Sequence, residues 1–224
     1  LNFMNIETDG YKAKVASTKN HSYDNKNLDI NYSYSYDQNI FNFNFYQSDG
    51  NTEYDSFGSN LNQDHKDSHI KLAWNKKYAE SDSNLVFIQK QNKINQNASG
   101  ATDYTHTENY IFNIEKNYYD LNDTNTIIGV MYTNEALYEL SYGTKFNKSN
   151  TISEYYFQTE YFAERTLYNL GSRYINHSLY GDFLTGNFNV GYNLTSNTKI
   201  IAGIGKSFRS PDGTDLYGYG GNTD

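Results

Sequence analysis

The chain has 224 residues, about one domain's worth, of which only 37% are hydrophobic; mean hydropathy is −0.85, net charge −8 and isoelectric point near 5.1. The acidic balance disfavours a nucleic-acid partner, which wants a Lys/Arg surplus, and the absence of cysteine excludes disulfide frameworks, thiolate metal sites and cysteine nucleophiles. Aromatic residues at 17%, with 24 Tyr and a single Pro, are unlike a disordered linker, and the best apolar run, residues 127–131, is far short of the ~20 residues of a membrane helix. Composition leaves two readings: a soluble β-sheet protein or an outer-membrane β-barrel.

In chain order, period-two alternation predicts about eleven strands after residue 10: 11–18, 26–36, 40–50, 68–78, 84–92, 106–117, 126–138, 152–162, 166–176, 186–194 and 198–209. Leu28, Ile30, Tyr32, Tyr34 and Tyr36 interleave with Asp29, Asn31, Ser33 and Ser35; Phe41, Phe43 and Phe45 interleave with Asn42 and Asn44. The same pattern recurs at Ile70, Leu72 and Trp74, at Tyr110, Phe112 and Ile114, and at Phe188, Val190, Tyr192 and Leu194. Each set lies on one face of a sheet, and no stretch shows a comparable helical period with caps. The fold class is all-β. Short connections are expected at 37–39, 79–83, 120–125, 163–165 and 195–197, and long polar loops at 51–66, 93–105, 139–151 and 177–185, with a loop-like tail from Ser210. Short and long connections alternate from the second strand onward, as in an antiparallel up-and-down transmembrane β-barrel.

The face opposite the aromatics is rich in Asn, Ser, Gln and Glu, which a watery or plugged lumen tolerates. Tyr36, Tyr46, Tyr132, Tyr138, Tyr161, Tyr174 and Tyr192 sit at strand ends, where aromatic girdles meet the two lipid interfaces. The abundance of Asn reads as compositional bias, since many Asn residues keep register within the alternation. His21, His65, His69, His106 and His177 show no ligand spacing, with His65 and His69 straddling an expected loop boundary. Glu154 and Glu160 have the parity of a polar lumen, and no Ser-His-Asp set or phosphate-cradling loop is present, so no enzyme activity is expected. Leu1 follows no signal-peptide pattern and the chain ends in a glycine-rich stretch, which reads as a fragment of a longer protein.

From Leu170 the chain reads Leu-Gly-Ser-Arg-Tyr-Ile-Asn-His-Ser-Leu-Tyr-Gly, then Thr185-Gly186-Asn187 and Gly191-Tyr192. Beyond a turn come Phe208-Arg209-Ser210-Pro211, Asp215-Leu216-Tyr217-Gly218 and Gly220-Gly221-Asn222. Over about 55 residues this resembles the barrel of TonB-dependent outer-membrane receptors, most closely the cobalamin (vitamin B12) branch. Ile175, Ser210 and Thr223 stand where that family usually has Asp, Ala and Pro. Phe3-Met4-Asn5-Ile6-Glu7-Thr8 is similar to the strand with which the family's plug domain ends. The resemblance implies residues 1–8 as the end of the plug and 9–224 as the first half of a twenty-two-stranded barrel ending in an extracellular loop.

The resemblance further implies a Gram-negative outer-membrane transporter that takes up a scarce nutrient, most simply cobalamin, with lipid, a small-molecule ligand and the TonB complex as partners. Alternatives are a siderophore or haem receptor of the same family, a passive porin-like barrel, and, as a weaker rival, a secreted all-β binding module. Phe208, Arg209, Pro211, Asp215, Leu216, Tyr217, Gly221 and Asn222 are implied as a structural signature, with Pro211 ending its strand, Phe208 toward lipid and Arg209 toward the lumen. The cobalamin branch binds calcium through loop carboxylates, for which Asp55, Asp64, Asp67 and Asp103 match by position; calcium is the one cofactor implied. The branch's Tyr-Asp pair is missing from residues 92–97.

Overall fold

A computed structural model of the chain describes residues 1–12, 15, 19–56, 58–98, 101–119, 123–211 and 216. Its strands are β1 (Asn2–Tyr11), β2 (His21–Tyr36), β3 (Asn39–Ser56), β4 (Ser59–Lys77), β5 (Ser81–Ala98), β6 (Ala101–Tyr118), β7 (Thr124–Ser141), β8 (Thr144–Ala163), β9 (Thr166–His177), β10 (Gly181–Thr195) and β11 (Thr198–Lys206). They form a single antiparallel sheet in strict chain order, open at both edges because β1 and β11 do not pair with each other.

The expected first strand at 11–18 falls partly outside the described residues. The sheet begins instead with β1, which sets Phe3 opposite Leu28 and Glu7 opposite Asp24. Residues 2–8, matched by sequence to the end of the plug, are therefore laddered into the same sheet as everything that follows.

The four stretches expected as long loops are strand over most of their length. β3 to β8 are 18 to 20 residues long, roughly 60 Å of strand where ~10 residues cross a bilayer. The β7–β8 hairpin closes in a tight turn between Ser141 and Thr144. Tyr142 and Gly143 both have positive φ, 47° and 82°, the pair of left-handed residues that lets a two-residue hairpin follow the twist of its strands. Sequence reading missed these extensions for a physical reason. Where both faces meet water, the apolar period vanishes while the backbone ladder continues.

No second layer packs on the sheet among the described residues. Among the described residues only Phe146 and Ile175 are buried hydrophobics and no side chain is fully buried, whereas Tyr32 is 62% and Ile204 77% exposed. The exposed apolar residues follow the ladder. One row starts at Tyr34 and passes through Phe41, Trp74, Leu85, Ile114 and Val130 to Tyr155. The belt also slips along the strands: the row joining Phe188 and Leu170 runs through Thr159, Thr126 and Tyr118 to reach β5 at Ser81, four positions short of Leu85. A level belt on staggered strands means the strands are inclined to the plane they cross. Of the girdle tyrosines, Tyr36, Tyr132, Tyr161, Tyr174 and Tyr192 lie on the apolar face by register. Tyr46 has the opposite parity and stacks on His69 at 5.3 Å, and Tyr138 shares the belt's parity but lies well above it.

Replacing Phe112 with Arg should cost about 2–4 kcal/mol at the middle of the belt, and the same change at Gln91, two outward-facing positions beyond Phe87 on β5, roughly 0–1 kcal/mol. Denaturant titration of the full-length protein folded into vesicles measures both. Equal costs would contradict a lipid-facing belt.

Candidate functional site

The face opposite the belt is a lattice of hydrogen-bonded polar side chains. On β2 to β4, the Asn44 amide donates to Asp29 (3.0 Å) and Asn31 (2.7 Å), and Asn44 Oδ1 lies 2.5 Å from His69 Nε2. On β8 to β10, Asn169 donates to Glu160 (3.0 Å) and accepts from Asn187 (3.0 Å) and Asn189 (3.3 Å). Such a surface satisfies most of its polar groups from within and stays wet, while the amide oxygens of Asn27, Asn75, Asn117 and Asn150 are buried without a protein partner. Glu154 and Glu160, read from parity as lumen residues, both lie here.

The lattice centres on Tyr156. Its hydroxyl is shared between Asn113 Oδ1 (2.9 Å) and Glu115 Oε2 (3.0 Å), two strands away on β6. The ring reaches them by lying over Gly129 of the intervening β7, where a Cβ would come within 2.2 Å of the Tyr156 ring. Arg173, opposite Tyr156 on β9, stands 5.2 Å from that ring's centre and pairs with the nearly buried Glu154 at 3.1 Å. These residues, with Thr185, Asn187 and Phe208, bound an open cavity of about 610 Å³. Nothing singled out Gly129 or Tyr156 in the sequence; an isolated Gly inside a strand pattern, which marks close approach, is the signal that could have.

Phe208 departs from expectation. β11 ends at Lys206, so strand parity does not reach it, and the chain folds over the polar face. Phe208 stacks on Phe183 at 3.5 Å between ring centres, and Tyr180 Oη donates to the Pro211 carbonyl at 3.4 Å. Ser210 and Pro211 then help line a second cavity of about 280 Å³ with Asn109, Glu135 and His177. Residues 207–211 thus form an inward strap crossing several strands. Arg209 is exposed and Leu216 partly buried; Asp215, Tyr217, Gly221 and Asn222 lie outside the described residues.

The four carboxylates expected to hold calcium are not brought together. By register Asp55 and Asp64 have the parity of the belt, while Asp67 and Asp103 are on the polar face. Each has its own local partner. Asp55 accepts from the Gly58 amide (3.2 Å), Asp64 from Asn51 (2.5 Å), Asp67 from Asn92, and Asp103 from the Tyr142 amide (3.2 Å). Among the described residues no group of three or more His, Asp or Glu is placed to hold a metal ion. These residues do not fit a shared calcium site. His65 and His69 are not at a loop boundary; both lie within β4 on the polar face, stacked on Tyr23 (6.4 Å) and Tyr46 (5.3 Å).

Above the belt, Glu53 ties β3 to the start of β2. The Ser22 amide (3.0 Å) and hydroxyl (2.8 Å) both donate to Glu53 Oε2 and hold its carboxyl below the usual carboxylate range. Burial, aided by the nearby Lys93, holds His106 below the usual imidazole range.

An antiparallel sheet with a girdled apolar face, a polar opposite face and tall hairpins at one end defines the wall of an outer-membrane β-barrel. The family model described as "TonB dependent receptor-like, beta-barrel" matches residues 4–224, and the chain belongs to that family, whose barrels reside in the Gram-negative outer membrane. Solved structures share the fold. The siderophore receptor PirA from Pseudomonas aeruginosa is 17% identical with a TM-score of 0.74, over 85% of this chain and 34% of that one. A mutant of the ferric enterobactin receptor PfeA from Pseudomonas aeruginosa is 14% identical with a TM-score of 0.77, over 92% and 36%. The copper transporter OprC is 12% identical with a TM-score of 0.68, over 96% and 41%. The chain thus spans a little over a third of the length of these structures. No curated protein sequence matches it significantly.

Two outcomes follow. Gly129→Val should displace Tyr156 and destabilise the full-length barrel by about 1–3 kcal/mol, and Tyr156→Phe by roughly 1 kcal/mol, both read by denaturant titration. Because the folded-state pKa of Glu53 is depressed, its tether is fully present above the ordinary carboxylate range and is lost as pH falls through the depressed value. Hydrogen exchange at the Ser22 amide, corrected for intrinsic rate, should accelerate on acidification in the wild type and be fast at every pH in Glu53→Gln.

Proposed function

We propose that the chain is the first half of the wall of a TonB-dependent outer-membrane transporter, with β1 the first wall strand, that imports a metal chelate of the siderophore class. The observation that carries this reading is the polar face. It is a continuous hydrogen-bonded lining, crossed by the strap at residues 207–211, as suits a lumen that holds other parts of the receptor rather than a plain water-filled pore. The siderophore class is favoured over cobalamin because the carboxylates that calcium-assisted cobalamin binding would require are divided between two faces. The named substrates of the fold neighbours, siderophores and ferric enterobactin, point the same way. Cobalamin remains the second reading, supported by the Leu-Gly-Ser-Arg-Tyr-Ile-Asn-His-Ser and Asp-Leu-Tyr-Gly elements. By this proposal the ligand is captured at the extracellular hairpins and released inward when the TonB complex acts on the rest of the receptor.

The test is a titration of the full-length protein with ferric catecholate and hydroxamate siderophores and with cyanocobalamin, with and without calcium, followed by uptake in strains with and without TonB. Saturable, calcium-independent binding of a ferric siderophore and TonB-dependent uptake are expected. Calcium-strengthened cyanocobalamin binding would return the cobalamin reading, and TonB-independent flux would return the porin.

A further inference from the structure

Among the described buried polar residues His177 is the least exposed, at 3%. It ends β9 three residues past the girdle tyrosine Tyr174, on the side of the tall hairpins. Its Nδ1 accepts from the Leu179 amide at 3.1 Å, which requires an unprotonated Nδ1 and puts the proton of the neutral ring on Nε2. That bond folds the turn back beside the imidazole, with the Tyr180 ring 4.7 Å from it and Gly181, at a φ of 78°, leading into β10. Ser178 is anchored separately: its amide donates to the Thr151 carbonyl at 2.9 Å and its hydroxyl accepts from the Thr151 amide at 2.9 Å. The Leu179 bond therefore decides where residues 179–180 sit, and Ser178 stays put whichever way they go.

The strap rests on this turn. Tyr180 Oη donates to the Pro211 carbonyl and Phe183 stacks on Phe208, so residues 207–211 are held over the cavity of about 280 Å³ that His177, Glu135 and Asn150 help to line. Closure has a cost, because the Asn150 Oδ1 is shut away without a hydrogen-bond partner. Closed and open arrangements then lie close in free energy, and a single bond can decide between them. We propose that His177 is the pin of a proton-operated latch: as a neutral ring it holds the turn, and through Tyr180 the strap, over the cavity, and as an imidazolium it releases both. An imidazolium donates from both nitrogens, so the Leu179 amide would face a second N–H in place of a lone pair. The charged groups around the ring are Glu135 on β7, Lys148 and Glu154 on β8, Tyr180 on the turn and the exposed Arg209 on the strap, with Glu154 already paired to Arg173. Burial, opposed by the Glu135 carboxylate, holds the imidazole below its usual range. The latch is accordingly fully present above the ordinary imidazole range and is lost as pH falls through the depressed value. It goes beyond the transport reading and does not depend on which ligand is carried.

The test is a spin-label distance measurement on the full-length receptor in vesicles without ligand, with labels on Arg209→Cys in the strap and Asn147→Cys on β8, both exposed positions, and no other cysteine. Titration from about pH 8 to about pH 5 brackets the ordinary imidazole value. The distance distribution should be narrow at the alkaline end and broaden to longer distances on acidification. His177→Gln keeps an acceptor for the Leu179 amide and cannot titrate, so its distribution should stay narrow throughout; His177→Phe, with no acceptor, should be broad throughout. Glu135→Gln removes the charge that favours the imidazolium and should move the midpoint to lower pH, a shift that loosened packing alone would not produce. An unchanging wild-type distribution, the same transition in His177→Gln, or an unmoved midpoint in Glu135→Gln would each overturn the proposal.

Discussion

The structure depends on one constraint: a single sheet has two faces and, among the described residues, no second layer to cover either. An isolated sheet in water would leave Trp74, Phe112, Val130 and their neighbours exposed without the burial that drives folding. Lipid on one side removes that cost, and it also demands that every backbone group in the membrane be paired, which a ladder of neighbouring strands supplies everywhere except at the open edges. The edges of β1 and β11 are where the remainder of a closed barrel would join. The polar face then needs no hydrophobic partner, and its asparagines, glutamates and tyrosines can bond to one another.

Glycine and tyrosine divide the work on that face. Gly129 leaves the gap through which the Tyr156 ring crosses a whole strand to reach Asn113 and Glu115. Gly171 and Gly203 give similar room to Asn187 and Asn189. The strap at residues 207–211 lies over the same region because the ladder stops at Lys206 and Phe208 finds an aromatic partner in Phe183. Outside the membrane the same strands carry on as two-faced polar hairpins. Their surfaces are held by cross-strand bonds such as Glu53 to Ser22 and Gln91 to Glu108.

Much of this was legible from alternation alone. The strands through the belt, their parity and the lumen-side placement of Glu154 and Glu160 follow from period two, because one face must be apolar where lipid is present. The hairpin extensions were hidden because that demand stops at the membrane surface, so residues 51–66 look like loop while the backbone still pairs. Phe208 was misplaced because parity was carried past the end of a strand. The carboxylates at 55, 64, 67 and 103 looked like a cluster when the segments were imagined as flexible loops. Once the segments are strands, odd and even offsets along paired ladders send the four to opposite faces. Tyr156 and Gly129 were silent because their relation spans three strands.

The most direct test of the central claim uses the absence of native cysteine: single cysteines placed from 62 to 76 along β4 of the full-length receptor, spin-labelled in vesicles. Oxygen accessibility should peak at 70, 72 and 74, dip at 71 and 73, and give way by 66 to accessibility for a water-soluble paramagnetic reagent. Uniformly high aqueous accessibility along the strand, or an oxygen period other than two, would contradict a wall whose apolar face is turned to lipid.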